Sequence, residues 1–187
     1  MRQPERWAIF VGCPVENAAI KIDQIKVHYS RRVRFAAVAP ELNFNVEQNG
    51  HQGGRRKPAL DLGDAVYIHL DVTKDADWQQ AVRLAESRYG KLNVLVNNAG
   101  IARFEGIEHT TEEQWEQVMS VNTTGVFLGT RKAIPALRRA GGGSIVNISS
   151  IAGLVGRLRA GTAYSASKGA VRLITKSTAI QHASDQI

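Results

Sequence analysis

The chain has 187 residues, 43% of them apolar and 22% charged, a globular profile long enough for one α/β core and short for two. Its net charge of +7 gathers near the start: residues 1–60 carry 10 Lys/Arg against 5 Asp/Glu, and residues 61–187 carry 14 against 12. The single cysteine, Cys13, excludes an internal disulfide framework and fits a reducing compartment. No apolar run reaches the ~20 residues that cross a bilayer. Met1–Phe10, with Arg2, Glu5 and Arg6, has no signal-peptide h-region. A cytoplasmic protein with no membrane partner is expected. The basic start attracts phosphates, but a solvated surface explains it more simply, and nucleic acid is not expected as a partner.

In chain order, Trp7–Gly12 reads as a strand, and Val15–Arg31 as a helix with Ala19, Ile22, Ile25 and Tyr29 roughly periodic. Val33–Ala39 reads as a second strand. Asn43–Pro58 is polar and Gly-containing and reads as a long loop. Residues 1–60 are therefore a divergent N-terminal segment, a degenerate β-α-β unit, and residues 61–187 are the core of the domain.

From Leu62 the pattern is regular. Ala65–Leu70 is a β-rich run, followed by Asp71-Val72-Thr73. Asp75–Tyr89 is a helix with Trp78, Val82 and Ala85 on one face, Thr73 as its N-cap and Gly90 as its stop. Leu92–Val96 is a strand ending in Asn97-Asn98-Ala99-Gly100. Thr111 with Gln114 forms a capping box. It opens a helical region that carries Trp115, Val118 and Asn122 on one face and runs, with a break, to Ala140. Gly141-Gly142-Gly143 ends that region. Ser144–Ser150 is a strand, and Thr162–His182 a last helix. Alternating strands and helices predict an α/β, doubly wound parallel sheet. In such sheets the ligand crevice lies beyond the carboxyl ends of the strands, where Asp71, Asn97-Asn98 and Ser149-Ser150 fall.

Tyr164 and Lys168 stand four apart, on one helix face. A tyrosine is a poor base near neutral pH, with a reference pKa of about 10, and a nearby ammonium favours its phenolate. Such a tyrosine exchanges a proton with an alcohol or carbonyl, and a serine at the end of a neighbouring strand can hydrogen-bond the same oxygen. Taken singly, each residue is equally well a turn or surface residue: Asn97-Asn98 and Ser149-Ser150 as strand-ending turns, Asn122 as helix surface. His28, His51, His69, His109 and His182 show no metal-ligand spacing, and no metal is expected.

Together these blocks resemble the short-chain dehydrogenases/reductases. The matching segments are Asp71-Val72, Asn97-Asn98-Ala99-Gly100-Ile101, Val121-Asn122, Gly143–Ser150 and Tyr164-Ser165-Ala166-Ser167-Lys168-Gly169-Ala170, in the family's order and at about its spacing, over roughly Leu62–Ile187. The resemblance implies a Rossmann-like fold and an NAD(P)-dependent oxidoreductase that interconverts a secondary alcohol and a ketone. It implies Tyr164 as acid/base, Lys168 on the nicotinamide ribose, and Ser150 orienting the substrate oxygen, with Ser149 as a substitute. Asn122 would kink its helix and hold a water relaying protons toward Lys168. Asp71, with Val72, would meet the adenine, and Gly12, Asn98, Ala99 and Gly100 would line the cofactor, with Tyr164 and Lys168. It also implies a homo-oligomer built on the last two long helices, with Val126, Ala133, Leu137, Leu173 and Ile174 as contacts or as core.

Two stretches depart from the family. Its glycine-rich turn after the first strand corresponds here to Val11–Ala18, where only Gly12 fits. Glu16 and Ala18 stand at the other glycine positions, so weak dinucleotide binding is expected. The sequence stops before the family's last strands and its substrate-covering segment, so an incomplete sheet and a truncated product are expected. The alternative function is a non-catalytic remnant with a defective cofactor site. Glu41, near the end of the second strand, favours NAD, whereas Arg31, Arg32 and Arg34 favour NADP.

Overall fold

A computed structural model describes residues 6–11, 33–38, 59–61, 66–156, 158 and 160–187. Its six strands are β1 (Arg6–Val11), β2 (Val33–Val38), β3 (Ala59–Asp61), β4 (Val66–Ile68), β5 (Val94–Asn97) and β6 (Ser144–Asn147), and its helices are α1 (Asp75–Tyr89), α2 (Glu112–Met119), α3 (Gly125–Arg139) and α4 (Thr162–Gln181). They form one sheet in the order β3-β4-β2-β1-β5-β6. All neighbours are parallel except β3, which runs antiparallel to β4. The fold is a Rossmann-like, doubly wound α/β sheet. The chain steps from β1 out to β4, then returns to the other side of β1 with β5. That reversal opens the crevice at the carboxyl ends of β1 and β5, where Val11 and Asn97 lie in register.

The two strands from the first 60 residues occupy the middle of this sheet. The helix expected over Val15–Arg31, the loop Asn43–Pro58, and Gly12, Cys13, Glu16 and Ala18 lie outside the described residues. The short antiparallel β3 was not expected, since three residues carry no readable periodicity.

Side chains of β5 and β6 that share one face reach both long helices. Asn97 bonds to Thr130 of α3, and its register neighbour Asn147 bonds to Thr175 of α4. α1 packs against α3 on the same side. The core between them joins Ile68, Leu70, Val72, Trp78, Leu95, Leu128 and Leu137. Trp78 is its largest buried side chain, and its indole N–H donates to the Val72 carbonyl at 2.9 Å. α3 approaches this ring through Gly129, where a Cβ would stand 2.5 Å from the Trp78 ring.

Local signals mostly set the helix ends. Gly90 stops α1 in the left-handed region at φ 79°. Thr111 and Gln114 make the reciprocal capping box. Thr73, however, does not cap α1. Lys74 holds the N-cap position, and the Thr73 hydroxyl and N–H both donate to the Asp71 carboxylate, at 2.7 and 2.9 Å. The expected break between α2 and α3 is a π-helical turn, Ser120–Thr124. Val121, Thr123 and Thr124 are β-branched and crowd a regular α-helix, and such turns gather at functional sites.

Candidate active site

The site is built where β5, the π turn, β6 and α4 meet. Asn122, in the π turn, is wholly buried. Its Oδ1 accepts from the Ile101 N–H at 2.8 Å, and its Nδ2 donates to the Ile101 carbonyl at 2.9 Å. The same Nδ2 donates to Ser167 Oγ at 3.0 Å, and Ser167 in turn donates to the Tyr164 carbonyl at 2.7 Å. The carboxamide thus fastens the loop after β5 to α4.

Lys168 is 5% exposed, and a buried ammonium requires partners. Its Nζ donates to the Ile148 carbonyl at 2.7 Å, and the Ile148 N–H donates to the Asn97 carbonyl. The lysine therefore hangs from the peptide that extends β6. Its Nζ lies 5.8 Å from the centroid of the half-buried Tyr164 ring. The expected Tyr–Lys pair is formed on one face of α4.

The two serines separate into different roles. Ser149 donates to the Lys168 carbonyl at 2.8 Å. Ser150 accepts from the Ala152 N–H at 3.2 Å and caps a short 3-10 turn, Ile151–Gly153. Among the described residues no acceptor takes the Ser150 hydroxyl proton. Gly153 lets this turn lie against α4, since a Cβ there would stand 2.5 Å from the Lys168 carbonyl carbon.

Asn98 is half-buried and Ala99 buried, on the loop leaving β5. At Gly100 a Cβ would come within 3.3 Å of Asn122 Oδ1 and 3.4 Å of Lys168 Nζ, so the bare glycine leaves a shallow shelf beside the lysine. A ribose diol would find a hydrogen-bond donor in the Lys168 ammonium there, so the described residues have the chemistry to hold one. Asp71 is half-buried. Burial opposes its charge, but the two Thr73 hydrogen bonds, with Lys74 and His69, outweigh that and hold the carboxyl below its usual value. It is a permanent acceptor, as contact with an adenine amine requires. Val72 is core, its side chain packed with Trp78 and its carbonyl taken by the Trp78 indole.

Three features carried no signal of their own in the sequence: Ser167 as a partner of Asn122, the Ile148 carbonyl as the lysine's anchor, and a polar strap. In the strap, Asn97 donates to Thr130 and Asn147, and Asn147 donates to Thr175, at 3.3, 2.8 and 2.9 Å. Asn97 and Asn147 stand in motifs already singled out, but their partners are 33 and 28 residues away. Of the residues named as subunit contacts, Val126, Ala133 and Leu137 are buried within the chain and belong to its interior; Leu173 is 65% exposed.

Residues 47–187 match the family model described as short chain dehydrogenase. The chain belongs to the short-chain dehydrogenase family. It is 50% identical over 124 residues to a 3-alpha-(or 20-beta)-hydroxysteroid dehydrogenase of Mycobacterium tuberculosis, covering 66% of this chain and 47% of that protein. It is 48% identical over 118 residues to a cyclopentanol dehydrogenase of Comamonas testosteroni, covering 63% and 47%. It is 47% identical over 116 residues to a trans-4-hydroxycyclohexanecarboxylate dehydrogenase of Sinomonas cyclohexanicum, covering 62% and 44%. The chain spans about half the length of these curated relatives. Among the described residues, no helix is long and apolar enough to cross a membrane, and no group of three or more His, Cys, Asp or Glu could hold a metal ion.

Proposed function

We propose that this short-chain dehydrogenase family member interconverts a cyclic secondary alcohol and its ketone with a nicotinamide cofactor, NAD in preference to NADP. One observation carries the reading: Tyr164 and Lys168 share a face of α4, with the lysine amine bonded to the Ile148 carbonyl beyond β6. A bound nicotinamide would be the hydride acceptor for oxidation of the carbinol carbon and the hydride donor for reduction of the ketone. The Tyr164 oxygen takes the alcohol proton during oxidation and gives it back during reduction. The Ser150 hydroxyl donates to the same substrate oxygen, which its free proton supports. Lys168 holds the ribose hydroxyls, and Asn122, its carboxamide taken up by Ile101 and Ser167, anchors the loop beside Lys168. The Asp71-Val72 turn meets the adenine through Asp71, and Gly12, Asn98, Ala99 and Gly100 line the rest. Residues 1–60 form the divergent first part of the domain and 61–187 its core.

Exposed apolar side chains support an apolar ring substrate. Phe104, on the loop after β5, stands beside Gly161 at the start of α4 and is 73% exposed; Ile151, Leu154 and Val155 follow Ser150 and are exposed as well. The two loops flank the stretch of α4 that bears Tyr164 and Lys168. The substrates in the relatives' names, steroid and ring alcohols, agree with this. Leu173 and Phe127, exposed on α4 and α3, with the half-buried Ile174, are the apolar positions for a homo-oligomer.

A second reading, a non-catalytic remnant, is favoured by Glu16 and Ala18 at positions where the family has glycine. Titration with NADH and NADPH, followed by turnover of cyclopentanol and cyclohexanol with oxidised NAD and NADP, separates the two. Binding with turnover abolished in Tyr164→Phe is the expected result. Turnover that survives Tyr164→Phe overturns the site assignment, and binding of neither cofactor selects the remnant.

A further inference from the structure

We propose that Ser167 is a positioning residue of this site, whose one buried hydroxyl holds Asn122 and the Tyr164 backbone in fixed register. The proposal rests on Tyr164 and Lys168 being the reacting pair. Ser167 precedes Lys168 on α4 and is wholly buried. Its bond to the Tyr164 carbonyl is unremarkable alone, since helical serines commonly bond back to the preceding turn. Its bond from Asn122 Nδ2 is not local: it spans 45 residues and ties the π turn to α4.

The Asn122 carboxamide has two protons and one oxygen to satisfy. Ile101 takes the oxygen and one proton; Ser167 takes the other proton. Without that hydroxyl, Asn122 is left with a buried donor lacking an acceptor, a costly state. Turning the carboxamide to find a new partner breaks its grip on Ile101. Ile101 is the neighbour of Gly100, whose missing Cβ leaves the space beside Lys168 Nζ. A change at Ser167 therefore reaches the shelf beside the lysine through Asn122 and the loop after β5, although Ser167 touches neither substrate nor cofactor.

The test follows proton exchange of the Asn122 side-chain amide by NMR in the full chain, assigned by its disappearance in Asn122→Asp. In the unmodified chain it should exchange roughly tenfold or more slowly than exposed asparagine side chains, the scale of one buried hydrogen bond. Ser167→Ala should accelerate exchange by roughly tenfold. Ser167→Thr keeps the hydroxyl and should stay slow, which a purely volumetric role for Ser167 does not predict. A folded Ser167→Ala with unchanged exchange overturns the proposal, as does Ser167→Thr exchanging as fast as the alanine variant. If Ser167→Ala does not fold, Ser167→Cys, close in size but a much weaker acceptor, decides: faster Asn122 exchange upholds the proposal and unchanged exchange overturns it. None of these readings needs turnover, so failure to bind NADH counts against the oxidoreductase reading and not against this one.

Discussion

The Asn122 side chain occupies both backbone groups of Ile101, accepting from its N–H at 2.8 Å and donating to its carbonyl at 2.9 Å. A carboxamide has the donor and acceptor layout of a peptide, so Asn122 serves Ile101 as a one-residue strand partner. Asn122→Asp keeps the acceptor but sets an oxygen against the Ile101 carbonyl. Asn122→Ala leaves both Ile101 groups and Ser167 without this partner. We expect each to lower stability by about 2–4 kcal/mol, from more than one buried polar group left unpaired, and to lower Tm by several degrees. Thermal unfolding followed by circular dichroism checks this; a Tm unchanged within a degree in Asn122→Ala would refute it.

Glycine tolerance should divide sharply along the loop after Ser150. A Cβ at Gly153 would stand 2.5 Å from the Lys168 carbonyl carbon and 2.6 Å from its oxygen, both backbone atoms, whereas a Cβ at Gly156 meets nothing within 4 Å. Gly153→Ala must push the 3-10 turn off α4, an overpacking cost of about 1–3 kcal/mol. Gly156→Ala should be neutral or slightly stabilising. Denaturant midpoints of the two variants test the contrast. Equal midpoints would mean that the turn does not rest on α4.

Short-range signals were legible and long-range ones were not. The capping box at Thr111 and Gln114, the left-handed stop at Gly90 and the Tyr164–Lys168 spacing each depend on residues within four positions of one another, and each stands where the sequence places it. Thr73 illustrates the limit: it has the chemistry of an N-cap, but its hydroxyl donates to Asp71, two residues upstream, and the helix starts one residue later with Lys74 at the N-cap. Ser149 and Ser150 look equivalent until α4 is packed against them; then Ser149 is committed to the Lys168 carbonyl. Ala133 and Leu137 share α3 with the outward Phe127, and an apolar side chain does not itself say whether it meets the core or a second subunit. The packing of Trp78 and Leu95 against α3 decides that here.

Asp185 should make the end of the chain acid-sensitive. Its carboxylate takes two hydrogen bonds from Arg138, at 2.9 and 2.6 Å, and one contact with His182 at 2.9 Å. Those partners, Arg138 first, hold its pKa well below the usual carboxylate value. A depressed folded pKa means that the stabilisation is present above the unfolded value, about 3.9, and is lost as pH falls toward the folded one. Asp185→Asn should therefore lower Tm slightly near neutral pH, and the difference from the unmodified chain should narrow below about pH 4. The pair is exposed, so high salt should shrink the difference too. A gap that widens on acidification would reverse the assignment.

Cofactor affinity should be limited by residues 12–18, which follow β1 in the sequence, rather than by the Tyr164–Lys168 half of the site. The pyrophosphate of a dinucleotide carries negative charge, and it binds where backbone N–H groups come close to it. Glu16 brings a carboxylate to a position where the family has glycine, and Ala18 brings a Cβ. On the nicotinamide side, a Cβ at Gly100 would come within 3.3 Å of Asn122 Oδ1 and 3.4 Å of Lys168 Nζ. Replacing both, Glu16→Gly with Ala18→Gly, should tighten NADH binding by roughly tenfold at low salt, the scale of removing one unfavourable unit charge near the surface. The gain should fade as ionic strength rises. Glu16→Gln, which keeps the side-chain bulk and removes the charge, divides the effect: most of the gain retained assigns it to repulsion, and most of it lost assigns it to close approach. Fluorescence titration with NADH measures all three chains. Affinity unchanged by the double replacement would show that these two positions do not face the pyrophosphate.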